Sequence, residues 1–194
     1  MRVLPRPLGQ PEIEVLTLDQ LRTHLNIEVG DDGDDALLRG FLIAARHWME
    51  EWLGRVLGRQ TVRATFESWP DWLAGTSIDL LMPVESVDAI SFTGPAGTPV
   101  TWTDFVARQS QGGVMRVRPK AGTNWPTLGD DPVITLDATA GWDTVPEPVV
   151  TGVMMLAAFL YANRDGIGDG RTVLGKLPPE IAEMVRPWRW RLIG

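Results

Sequence analysis

Cysteine is absent from this 194-residue chain. That excludes a disulfide scaffold, a Cys-based zinc site and a thiol nucleophile. Histidine is scarce: His24 and His47 fall on different predicted helices, so they do not pair as metal ligands, and a partly buried His47 is expected. Positive charge is not in excess. There are 18 basic against 25 acidic residues, a net charge of −7. A protein whose main task is gripping phosphates is usually basic, so general nucleic-acid binding is not expected. Long apolar runs are also missing. The most apolar stretch, residues 149–162, falls short of the ~20 residues that span a bilayer, and the first eleven residues lack the apolar core of a secretory signal. A soluble protein made in a cytoplasm is expected.

Catalytic signatures are missing too. The turn Asp31-Asp32-Gly33-Asp34-Asp35 suits a cation, but position twelve counted from Asp31 is Leu42 rather than the glutamate of an EF-hand. Gly166, Gly168 and Gly170 alternate without a preceding strand or a following Gly-Lys-Ser/Thr, so they read as a flexible loop, not a phosphate cradle. No serine sits in a nucleophile-elbow setting. Glu50 and Glu51 are adjacent and point different ways on a helix, and no other carboxylate pair stands out. No catalytic, cofactor-binding or metal-binding residue is assigned, and no enzymatic activity is expected.

With 44% hydrophobic and 22% charged residues, a sizeable core can form. Residues 1–15 carry Pro5, Pro7 and Pro11 and should form an extended arm. A first helix starts at Thr17, where Thr17 and Gln20 make a capping box. Leu18, Leu21 and Leu25 follow at helical spacing. Asp34 or Asp35 should cap a second helix reaching about Gly54. That helix carries a wide apolar stripe through Leu37, Leu38, Phe41, Leu42, Ala45, Trp48, Met49, Trp52 and Leu53, with Arg39, Arg46, Glu50 and Arg55 largely off it.

From Gln60 the period changes to two. Residues 61–67 alternate like a half-buried strand, and further strands are predicted near 77–82, 87–92, 100–102, 114–117 and 133–139. Gly94-Pro95-Ala96-Gly97 reads as a hairpin loop. Helix returns after Trp142 and runs to about Arg164, apolar nearly all round and hence central. Pro178-Pro179-Glu180 starts a short last helix that Pro187 should end. The predicted fold is α+β: a helical bundle from the N- and C-terminal segments, with an inserted small antiparallel β domain projecting from it. Its regions are an arm (1–15), a first helical segment (16–58), a β insert (59–142), a second helical segment (143–187) and a C-terminal docking tail (188–194).

Two features invite a binding role. Nine tryptophans stand against one tyrosine. Those of the insert (Trp69, Trp72, Trp102, Trp125 and Trp142) should mostly fill a small β core, although exposed rings could stack on sugars or bases. Residues 171–194 hold 5 basic and 2 acidic side chains, whereas residues 61–170 hold 6 and 13. Trp188 and Trp190 lie in that basic end, and Trp and Arg dominate interface hot spots.

Several stretches together resemble the head–tail connector (adaptor) family of long-tailed bacteriophages and phage-derived gene transfer agents. They are Leu16-Thr17-Leu18 through His24-Leu25, Asp34-Asp35-Ala36-Leu37-Leu38, Ile43-Ala44-Ala45-Arg46, Glu50-Glu51-Trp52-Leu53-Gly54-Arg55, Leu81-Met82-Pro83-Val84-Glu85-Ser86-Val87, Ala138-Thr139-Ala140-Gly141-Trp142, Val145-Pro146-Glu147-Pro148-Val149 and Tyr161-Ala162-Asn163-Arg164. Their order and spacing cover most of residues 16–190. Trp52, Gly152 and the Trp-rich tail depart from the family pattern.

The resemblance implies a virion structural protein without enzymatic activity or cofactor, made in the bacterial cytoplasm. It would form a ring, commonly of twelve copies, between the portal protein and a stopper or other neck or tail protein. The ring extends the DNA channel, through which DNA passes without sequence-specific binding, along a net negative wall. Portal docking is expected through Arg186, Trp188, Arg189, Trp190 and Arg191 on a segment that leaves the body from Val185. Subunit packing is expected through Phe41, Trp48 and Trp52. The β insert, with the 165–177 loop, would face the next neck protein. The alternatives are another neck component, such as a stopper or tail-completion protein, and a carbohydrate-binding module.

Overall fold

The computed structural model describes residues 1–9, 11, 14–28, 33–70, 77–110, 113–163 and 177–190. The elements in chain order are β1 (Arg2–Val3), β2 (Arg6–Pro7), α1 (Leu18–Leu25), α2 (Asp35–Leu53), β3 (Gln60–Phe66), β4 (Ile78–Leu80), β5 (Val84–Thr93), β6 (Pro99–Trp102), β7 (Phe105–Gln109), β8 (Met115–Pro119), β9 (Ile134–Ala140), α3 (Glu147–Ala162) and α4 (Pro179–Val185). The class is α+β, as the change of period predicts. The chain divides into two compact units. One holds the sheets and spans residues 1–12, 59–141 and 191–194. The other holds the helices and spans residues 13–58 and 142–190.

In the helical unit, the capping box forms as predicted: Gln20 N–H donates to Thr17 Oγ1 and Thr17 N–H to Gln20 Oε1. Leu38, Leu42, Ala45, Met49 and Leu53 line the buried side of α2 at helical spacing, facing Val149, Val153, Leu156 and Ala157 of α3. Burying each large apolar side chain contributes about 1.5–3 kcal/mol. The close approach of the helices depends on Gly152. A Cβ there would stand 3.0 Å from both Met49 Cε and Val185 Cγ1.

Two expectations for α2 need correction. Asp34 occupies the N-cap position but makes no side-chain cap. Its carboxylate accepts the Tyr161 hydroxyl at 2.7 Å instead, and Asp35 pairs with Arg22. Arg46 and Glu50 do not lie off the apolar stripe; they are 1% and 8% exposed. Arg46 Nε donates to Glu14 Oε2 at 3.0 Å and Arg46 Nη1 to Glu50 Oε2 at 3.1 Å. Glu50 Oε1 also accepts the Leu57 N–H at 3.0 Å. Burial is tolerated because each charge finds a partner of opposite sign.

The β unit contains a five-stranded sheet of order β2-β3-β9-β5-β6 and a four-stranded sheet of order β1-β4-β8-β7. In the larger sheet Val62, Ala64 and Phe66 pair with Ala138, Leu136 and Ile134, all on the buried face. The long β5 follows β9 through two register shifts, a device that bends a strand. The Gly94–Gly97 hairpin forms between β5 and β6, with Gly94 N–H bonded to Thr98 O. The extended arm is not solvated along its length: β1 and β2 each pair with a strand. β7 carries no clean alternation and is not predicted from the sequence. The structure forms it by pairing with β8. The 165–170 loop and the Asp31-Asp32 turn fall outside the described residues.

Replacing Arg46 with methionine leaves the buried Glu50 carboxylate, and the half-buried Glu14 carboxylate beside it, without their cation. A loss of about 3–5 kcal/mol in urea unfolding, followed by helical circular dichroism, is expected. A loss below about 1 kcal/mol would contradict the ion network.

Candidate docking surface

Helix α2 ends in Gly54, whose φ of 69° is a left-handed C-cap. Its N–H closes onto the Glu50 and Glu51 carbonyls. The last carbonyls of a helix have no partner within it, and here the Leu53 carbonyl accepts the Trp190 N–H at 2.7 Å. The Trp190 side chain lies against Gly54, where an added Cβ would come within 3.7 Å of Trp190 Cβ. Arg189 is extended, and its guanidinium carbon sits 4.7 Å from the centre of the Trp52 ring. A cation beside a helix C-terminus is favoured by the helix dipole.

The expected departure of the chain at Val185 is therefore corrected. Val185 is fully buried, residues Arg186–Trp188 form a 3-10 turn, and Trp188 packs on the helical core. Pro187 sits in that turn, two residues beyond the end of α4. Through Trp190 the segment lies on the helical unit. The physical reason is the exposed end of α2, which offers a free carbonyl, an indole face and a side-chain-free glycine together. Arg186 and Arg189 are exposed, and Trp188 and Trp190 half-buried. Trp190 Nε1 is buried without a hydrogen-bond partner among the described residues. Arg191 falls outside the described residues.

Phe41, Trp48 and Trp52 are each half-buried on α2. Phe41 packs edge-to-face on Tyr161 with ring centres 6.4 Å apart. Leu37, 39% exposed, precedes Phe41 by one turn, so Leu37, Phe41, Ala44 and Trp48 share one side of the helix.

The tryptophans of the insert have two destinations. Trp69 stacks on Trp125 with centres 4.9 Å apart and also meets Phe66, Phe92 and Trp102. These rings use their faces on one another, which counts against a sugar-stacking platform. Trp142 belongs to the helical unit. Its N–H bonds to Leu57 O, and the Arg55 guanidinium lies 3.8 Å over its ring. Burial lowers the Arg55 pKa from the ordinary arginine value. Trp72 falls outside the described residues.

His47 is 52% exposed, more open than expected, with Nδ1 3.6 Å from Glu50 Oε2. Among the described residues no group of three His, Asp or Glu side chains could hold a metal ion, and no helix is long and apolar enough to cross a membrane.

Trp190→Ala should cost about 1–2 kcal/mol in thermal unfolding, from the apolar surface it uncovers at Gly54. Arg189→Ala, which removes the cation beside the Trp52 ring, should also change the fluorescence of Trp52. An unchanged midpoint and spectrum would show that the segment does not rest there.

No family model matches the sequence, and no curated protein matches it. Solved structures share its fold. A chain from the neck of an empty gene transfer agent particle, computed with C6 symmetry, superposes with a TM-score of 0.75 at 22% identity. A chain from the virion of a native gene transfer agent particle gives 0.71 at 21%. A chain from the neck of a native particle, computed with C12 symmetry, gives 0.69 at 22%. Each alignment covers 98% of this chain and 97% of the other. At this identity the likeness is one of fold.

Proposed function

We propose that the chain is a structural protein of a virion neck: a head–tail connector that forms a twelve-copy ring between the portal and the next neck or tail protein. The observation that carries this reading is the end-to-end likeness of fold to chains of gene transfer agent necks. The alignment takes in 98% of this chain and 97% of the other. The ordered motifs along residues 16–164 support the same family independently. A twelve-copy ring is compatible with both the C6 and the C12 symmetry of the matched necks.

In this reading the ring closes through the side of α2 bearing Leu37, Phe41 and Trp48, with Trp52 at its end. An apolar helix side left half-open in one copy is the surface that packing in a ring would cover. The protein has no enzymatic role. The β unit faces the next neck protein.

Arg186, Trp188, Arg189, Trp190 and Arg191 dock on the portal. Their charge is opposite to that of the acidic body, and aromatic and Arg anchors suit a compact interface. Because Arg189 and Trp190 already rest on the end of α2, docking either uses their outward faces or exchanges these contacts for contacts on the portal.

Deleting residues 188–194 should abolish co-sedimentation with the cognate portal protein while helical circular dichroism persists. If the truncated chain does not fold, Arg186→Glu with Arg189→Glu makes the same test without removing the tryptophans. Undiminished portal binding by a folded variant would overturn the docking assignment.

A further inference from the structure

The four-stranded sheet of the β unit has two unlike faces. Ile78, Leu80, Met115 and Val117 are buried on one. On the other, Arg116 and Arg118 alternate out of β8, and Lys120 continues the row. Lys120 keeps the register through its N–H bond to Asp104 O. Pairing sets Arg108 of β7 opposite Arg116, and Val106 opposite Arg118. On the other side Asp79 lies opposite Arg116, and Arg2 opposite Asp79. One row across the sheet therefore runs Arg2, Asp79, Arg116, Arg108.

This concentration of charge is unlike the rest of the unit. Residues 61–170 hold only six basic side chains against 13 acidic ones. Four of the six, Arg108, Arg116, Arg118 and Lys120, share this face. With Arg2 they make five cations against the two carboxylates Asp79 and Asp104. Like charges directly opposite one another destabilise a sheet, yet Arg108 faces Arg116.

Asp79 relieves part of the repulsion. It takes Arg116 in a two-pronged pair at 2.8 and 3.0 Å, and that guanidinium holds its carboxyl below the usual range. Asp104 takes Lys120 at 3.3 Å. Arg108 and Arg118 are exposed and pair with no carboxylate among the described residues. A local conflict only partly compensated within the chain is a mark of a functional surface.

The arrangement selects a ligand chemistry. Alternate residues of β8 place cations about 6.8 Å apart, comparable to the step between successive phosphates of one nucleic-acid strand. Guanidinium forks fit phosphate oxygens. No aromatic side chain stands on this face among the described residues, so unpaired bases have nothing to stack on. A duplex backbone fits; a single strand does not.

We propose that this face of the β unit is a sequence-independent contact for the phosphate backbone of double-stranded DNA. The inference rests on the connector reading, which brings duplex DNA past the chain. It replaces a uniformly repelling wall with an acidic body carrying one small basic footprint, which holds DNA briefly and releases it readily.

The test uses the full chain and a short fluorescent duplex, read by anisotropy at several salt concentrations. Four neutralised phosphates give a log–log salt slope of about −3.6, or roughly a hundredfold loss of affinity between about 50 and 200 mM salt. Two duplexes of unrelated sequence should bind alike. Arg108→Gln with Arg118→Gln should lower the slope by about two. The control pair Arg6→Gln with Arg39→Gln removes equal charge elsewhere and should leave binding unchanged. If the double variant misfolds, Arg118→Gln alone should lower the slope by about one.

Three results would overturn the inference: no binding at about 50 mM salt, equal loss in the control pair, or a preference for single strands. A chain present in particles but blind to DNA would also overturn it while leaving the connector reading standing.

Discussion

Arg46 is the constraint on which the helical unit turns. Its guanidinium is a buried cation, so the fold must bring carboxylates to it. Glu14 comes from the segment before α1, and Glu50 from the next turn of α2. Glu50 then holds the Leu57 N–H where the chain leaves α2. One cation thus ties the approach to α1, the middle of α2 and the exit toward β3. Such a buried pair adds little net stability compared with an apolar replacement of the whole group, but it penalises every arrangement that separates its members.

The exit fixed in this way has consequences further along. Leu57 accepts the Trp142 N–H, and Gly58 and Trp142 form an isolated parallel bridge. Leu57, Gly58 and Trp142 are therefore held together at one place within the helical unit. The end of α2 lies beside this place, and there Gly54 and the Leu53 carbonyl receive Trp190. The residues proposed to meet the portal are thereby attached to the same helix whose apolar side is proposed to meet neighbouring copies. Ring packing and portal docking would act on one rigid element, and a shift at one contact would be felt at the other.

Much of the fold is legible in the sequence. Thr17 and Gln20 announce α1 because a capping box is local chemistry. The alternation of residues 61–67 announces β3 because one face meets the core and the other water. β7 is not legible, since its half-buried residues owe their conformation to β8 and not to their own pattern. Arg46 and Glu50 read as surface residues because partners at Glu14 and Leu57 are set by tertiary structure. The C-terminal segment hides its contacts for a similar reason. A short basic stretch with two tryptophans looks unattached until the end of a helix far away in sequence supplies its partners. The basic sheet face is hidden as well. Arg2, Arg108 and Arg116 are distant in the chain, and only strand register brings them into one row.

The most direct test of the account is quantitative mass spectrometry of particles purified from the source organism, comparing copies of this chain with copies of the portal protein. The account predicts near-equal numbers of the two. Absence of the chain from intact, portal-containing particles would contradict it.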